Sequence, residues 1–186
     1  ESGHPSPDLK ANFLPFDTGN YLFSTRRGFS EAEQSAAIRK LNDLVVATQP
    51  ATATRNLIQG WYAKSPLTLD KTYVPPAWVS YDTVKPGAAR FYREVVGTAC
   101  RTCHAAMQDN FDWDAGAAQP ILLSRVALPH VCGGKADLYA NASMPNALMS
   151  LDKLQTHIQA DPSLATLVVD FLGCSAPAPD PVYPRR

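Results

Sequence analysis

Five consecutive residues, Cys100-Arg101-Thr102-Cys103-His104, set two thiols three positions apart with an imidazole directly after the second. That order suits one chemistry in particular. The thiols can reach the two vinyl groups on one edge of a porphyrin and form thioethers. The imidazole then lies under the iron as proximal ligand. Arg101 and Thr102 are spacers on which this chemistry makes no demand, although Arg101, like Arg125, Trp113 and Tyr139, could contact a propionate or the haem edge and reads equally as ordinary surface or core. The motif predicts one covalent c-type haem (heme c), held by Cys100, Cys103 and His104. Two rival uses fit less well. A dithiol redox C-x-x-C opens a helix after a strand, whereas the segment ahead of Cys100 reads as helical and shows no strand alternation. A zinc site wants four ligands. Cys132 and Cys174 would complete the set, but they lack paired spacing.

A low-spin electron-transfer haem needs a second axial ligand. Met144, followed by Pro145, is the leading candidate, well downstream of His104 in a polar, helix-poor stretch. A loop there can present a thioether to the open face of the haem, and Pro145 stiffens the backbone just beyond it. Thioether is a standard axial partner of His. The metal ligands expected are therefore His104 and Met144. His130, between Pro129 and Val131 and close to Cys132, remains the competitor. It would give a His/His haem of lower potential. Met107 lies too near His104 in sequence to reach the opposite face, and Met149 opens a helix. His157 and His4 read as structural or solvated.

The elements that must position these groups read as helices. Ser30-Glu31-Ala32-Glu33 has the form of a capping box, and Ile38, Leu41 and Val45 follow at helical spacing. This predicts a helix over about 31–48. A shorter one is expected around 53–64, with Leu57, Ile58, Trp61 and Tyr62 on one side. Residues 65–86 hold four prolines (Pro66, Pro75, Pro76, Pro86) and read as a linker or wrapping loop. From Pro86 the pattern tightens. Phe91, Tyr92, Val95, Val96 and Ala99 form an apolar stripe that runs into Cys100. Pro120 opens a further segment with Ile121, Leu122 and Val126, and Leu151, Leu154 and Ile158 mark another. The clearest helix follows Asp161 as cap, with Pro162 at its first position and Gly173 at its stop. Leu164, Leu167, Val168, Phe171 and Leu172 occupy one face of it. The first thirty residues read as an irregular arm and the end as a Pro-rich tail.

Composition narrows the class. Lys+Arg and Asp+Glu balance at 17 each, for a net charge of +0. The chain thus has no basic field for nucleic acid or anionic lipid. No apolar run approaches the roughly 20 residues that span a bilayer. The chain opens at Glu1 without a basic-then-apolar leader, which reads as a removed signal peptide or a fragment. Asn141-Ala142-Ser143 matches a glycosylation sequon, a weak pattern taken as incidental.

The stretch from Pro86 to Gly173 resembles the class I family of monohaem c-type cytochromes. The likeness rests on the helix carrying Phe91 and Tyr92 ahead of C-R-T-C-H, the Met144-Pro145 loop and the closing helix over 162–172. It implies an all-α, cytochrome c-like fold around one covalent haem, with first and last helices crossing near the haem edge and with His104/Met144 ligation. The expected organisation is a partly helical N-terminal extension (1–85) packing on the haem domain, a cytochrome c domain (86–176) and a Pro-rich tail (177–186). The family places a proline sooner after the haem-binding His than Pro120 stands here, and its minimal fold has no counterpart for the N-terminal extension. Cys132 and Cys174 are also additional. Because haem attachment of this kind occurs outside the cytoplasm, they are expected to form a disulfide, with a stabilisation of about 2–4 kcal/mol.

The function expected is single-electron transfer, with transient docking to redox partner proteins, in a monomer that is periplasmic or secreted. No catalytic residue is expected, since iron cycles between two oxidation states with both axial positions filled. Two alternatives stay open. One is a haem enzyme or a peroxide- or gas-reactive sensor whose sixth ligand is labile or absent, for which His130 and Arg125 are a faint distal pair. The other is a cytochrome module of a larger redox enzyme.

Overall fold

The computed structural model describes residues 13–101 and 148–173. Within them 64% of residues are helical and none is in a strand, which makes the described part all-α. Helix α1 spans Glu31–Ala47. Its start is local chemistry: Ser30 Oγ accepts from the Glu33 N–H at 3.4 Å, and Glu33 Oε2 accepts from the Ser30 N–H at 3.3 Å. The Gly28 N–H donates to the same carboxylate at 2.9 Å. These contacts satisfy donors that a helix leaves open at its N-terminus. Helix α2 spans Thr52–Trp61 and buries Thr54, Leu57, Ile58 and Trp61, the stripe of an amphipathic helix.

α1 and α2 enclose a first core of Val45, Leu57, Ile58, Trp61, Tyr62 and Leu69, with Phe16, Val46 and Tyr73 against it. A Cβ at Gly60 would lie 2.1 Å from the Tyr73 ring, so any larger residue there would displace that ring. Asn42, on α1, is fully buried. Its carboxamide accepts from the Phe16 N–H at 2.8 Å and donates to the Phe16 carbonyl at 3.1 Å and to Tyr62 Oη at 3.0 Å. One side chain thus bonds both backbone groups of Phe16, as a neighbouring strand would, and fixes the arm on α1. Just beyond, Thr18–Asn20 forms a single 3-10 turn capped by Asp17.

Residues 65–86, expected to be a loop, contain helix α3, Pro76–Tyr81. The prolines that read as breakers start it. Pro76 stands in the first turn, where a missing N–H is not felt, and six residues are too few to show a period. Helix α4, Ala88–Phe91, continues without a break into a π-helical stretch, Tyr92–Cys100. The Arg101 N–H closes that stretch on the Val96 carbonyl, five residues back. Gly87 caps α4 with φ 92°, and a Cβ there would meet Leu167 Cδ1 at 2.6 Å. Both facts favour glycine.

Helices α5, Leu148–Ala160, and α6, Pro162–Leu172, complete the described part. α6 starts and stops as its sequence predicts. Asp161 accepts from the Ser163 N–H at 3.0 Å, and Gly173 ends the helix at φ 71°. The second core joins Trp78, Phe91, Tyr92, Val95, Val96, Leu154, Leu164, Val168, Phe171 and Leu172. Its centre is aromatic. Phe91 stacks on Phe171 at 4.6 Å and 11°, and Trp78 lies 5.3 Å from Tyr92 and 6.2 Å from Phe91. Trp78 comes from the N-terminal extension, so that part of the chain packs directly on the helices that follow. Arg90 adds a polar tie, reaching Asp161 at 2.7 Å, Ser163 at 2.9 Å and Glu94 at 3.0 Å.

Candidate haem-attachment site

The π-helical stretch delivers the chain to the C-R-T-C-H motif. Cys100 is its last residue and is half-buried, a member of neither core. Cys103, His104, Met144 and the rival His130 lie outside the described residues, as do Cys132 and Cys174. The segment expected to start at Pro120 lies outside them too.

Arg101, read from the sequence as a spacer, is engaged on every side. It is 7% exposed. Its guanidinium forms an ion pair with Asp17, donates to Tyr92 Oη at 2.8 Å, and lies 5.1 Å from the centre of the Trp61 ring and 5.5 Å from that of Tyr92. Taken alone, burial would lower the pKa of this group. The Asp17 carboxylate and the hydrogen bonds to Asp17 and Tyr92 outweigh it and hold Arg101 above the ordinary arginine value, so the group stays a cation. The pair joins residues 84 apart in sequence.

Helix geometry explains how Tyr92 and Arg101 meet. In an α-helix nine residues make about two and a half turns, which sets the ends on opposite faces. The wider π-helical turn brings nine residues to about two turns, and so to the same face. Gly97 stands between them. A Cβ at Gly97 would approach Arg101 Nη1 to 3.4 Å and the Tyr92 carbonyl to 3.3 Å, so a larger residue would press on the guanidinium. The arm clasps the same point from outside. Asn20 Nδ2 donates to the Gly97 carbonyl at 3.1 Å and to Asp17 at 3.0 Å, and Lys153 on α5 donates to Asn20 Oδ1 at 3.4 Å. A cavity of ≈ 140 Å³ lies here, with Asp17, Asn20, Trp61, Tyr92 and Arg101 among its walls.

Of the residues expected to hold haem, Cys100 alone is among those described, at the end of the π-helical stretch. Consecutive residues leave a helix roughly a quarter turn apart. With Arg101 committed to the arm and Trp61, the neighbouring Cys100 is left at a helix end outside the packed cores. The sequence reading missed Asp17 and the engagement of Arg101. The only local hint is Asp17-Thr18-Gly19-Asn20, which has the composition of a side-chain-capped turn. No family model, no curated protein and no solved structure matches the chain. Among the described residues no helix is long and apolar enough to cross a membrane.

Proposed function

We propose that this chain is a cytochrome c-like electron carrier with one covalent haem, attached through Cys100 and Cys103 and ligated by His104 and Met144, working in the periplasm or outside the cell. The observation that supports the reading is that Cys100 and Arg101, the first two residues of C-R-T-C-H, end a helix that packs, through Phe91 on Phe171, against the last described helix. The resemblance to class I cytochromes calls for that helix pairing beside the haem. A bound haem would supply a one-electron Fe(II)/Fe(III) couple. The chain's own part is to hold Cys100 at a rigid helix terminus, to keep a permanent cation beside it, and to exclude water from the aromatic core behind it. Redox partner proteins would dock transiently. The Cys132–Cys174 disulfide belongs to the same proposal.

The test is spectroscopic. Protein matured in an oxidising compartment should show an alkaline pyridine haemochrome that survives denaturation and acid–acetone extraction. Its ferric form should carry the weak far-red band of a Met–iron bond, and Met144→Ala should abolish that band. A haemochrome absent altogether would sink the proposal. A ferric spectrum unchanged in Met144→Ala would pass the sixth position to His130.

A further inference from the structure

We propose that Asp17 and Arg101 form an electrostatic control on the haem, in which Asp17 is a positioning residue that holds the Arg101 cation inside the attachment motif and offsets its charge. The inference rests on the haem reading above and deepens it. Three observations carry it. First, Arg101 is a buried, permanent cation, and it is joined by one peptide bond to Cys100. Neighbouring Cα atoms are about 3.8 Å apart, so covalent connection keeps a macrocycle bonded to Cys100 within two side-chain lengths of this charge. Second, the side chains of the pair are only 9% and 14% exposed, so water and salt screen them poorly. Third, the carboxylate is brought there by dedicated contacts. Asn42 fixes Phe16 by both backbone groups, which places Asp17, and Asn20 ties Asp17 to Gly97. The N-terminal extension thereby gains a role. It brings one negative charge to the attachment motif.

A fixed positive charge near iron favours Fe(II), and a negative one favours Fe(III). Removing either member must therefore move the couple in opposite directions. Loss of Asp17 exposes the iron to an uncompensated cation, and loss of Arg101 to an uncompensated anion. Merely loosening the structure would act differently, because admitting water to a haem site favours Fe(III) whichever residue is lost.

The experiment is a redox titration of the whole holoprotein for the parent, Asp17→Asn, Arg101→Gln and the double variant D17N/R101Q. Asparagine keeps an acceptor for Arg101, so the geometry is retained while the charge goes. The Fe(II)/Fe(III) ratio, read at the parent's midpoint potential, should rise by about tenfold in D17N and fall by a comparable factor in R101Q. It should return close to the parent value in the double variant. Shifts of the same sign in both single variants, or none, would overturn the inference. Should D17N fail to fold, R101Q and the double variant decide. A fall in R101Q that the double variant restores supports the control, and equal values in the two overturn it. A denatured haemochrome confirms in every sample that haem is attached. Its absence from the parent would overturn the haem reading itself, and the control with it, whereas attached haem with unmoved potentials overturns only the control.

Discussion

The two cores of this chain are held by different means. The first, around Trp61 and Tyr62, draws on two helices and is closed by polar cross-links: Asn42 on Phe16 and Asp17 on Arg101. The second, around Trp78, Phe91 and Phe171, is closed chiefly by aromatic contact, with polar ties from Arg90 to Asp161 at its rim and from Arg101 to Tyr92. Hydrophobic contact tolerates small rotations, since it depends on area more than direction. Hydrogen bonds and buried ion pairs do not, because they weaken steeply with angle and leave costly orphans when broken. The seam at Arg101 therefore fixes an orientation, while the aromatic core contributes stability through buried area.

The largest effect expected from breaking this contrast is at Trp78. Trp78→Ala should destabilise the fold by about 3–5 kcal/mol, seen as a lower denaturation midpoint in urea. Asn42→Ala probes the polar mode. It strips the Phe16 backbone of its partners, and an unmet buried group costs about 1–3 kcal/mol. Its signature should be loss of hydrogen-exchange protection at the Phe16 amide, greater than at amides in α6. If the two regions were held alike, protection would fall equally in both.

These two residues also mark what the sequence could and could not disclose. The ends of α1 and α6 were readable, because Ser30 with Glu33, and Asp161-Pro162 with Gly173, act within four residues or stand at fixed helix positions. The burial of Phe91, Tyr92, Val95 and Val96 was readable from their spacing. That spacing serves an α-helix and a π-helix equally, so the change of pitch after Phe91 was not. α3 stayed hidden because the prolines that start it have the composition of a loop. The Asp17–Arg101 pair leaves no periodic trace, since its partners lie 84 residues apart. The sequence leaves Arg101 open as a spacer, a propionate or haem-edge contact, or ordinary surface or core, and nothing in it points to Asp17 and Trp61 as its partners. Cys103, His104, Met144, Cys132 and Cys174 remain proposals made on the motif and the resemblance.

A smaller effect separates the α1 cap from both cores. Ser30→Ala should cost about 1 kcal/mol and fray the first turn of α1, with little change in signals from Trp78. The mildest perturbation is acid. The Ser30 hydroxyl, with the Gly28 and Ser30 amides, lowers the Glu33 pKa. Lys64, then Thr72, lower that of Asp70, and Ser163, then Arg90, lower that of Asp161. A carboxylate whose folded pKa is depressed stabilises the fold above its unfolded value and loses that contribution as pH falls through the folded one. Stability should thus be flat through neutral pH and decline as pH falls through the ordinary carboxylate range and below it. Urea midpoints measured across a pH series would show it, and a decline beginning near neutrality would contradict these assignments.

The π-helical stretch has one more consequence. A helix that changes pitch behaves as a phase plate, delaying the angle at which everything downstream departs. Between Tyr92 and Arg101 that delay amounts to about half a turn. With an ordinary pitch, the same nine residues would send Arg101 toward the opposite side of the helix, away from Asp17, and would turn Cys100 with it. The azimuth at which Cys100 and Arg101 leave the helix is therefore written in its winding.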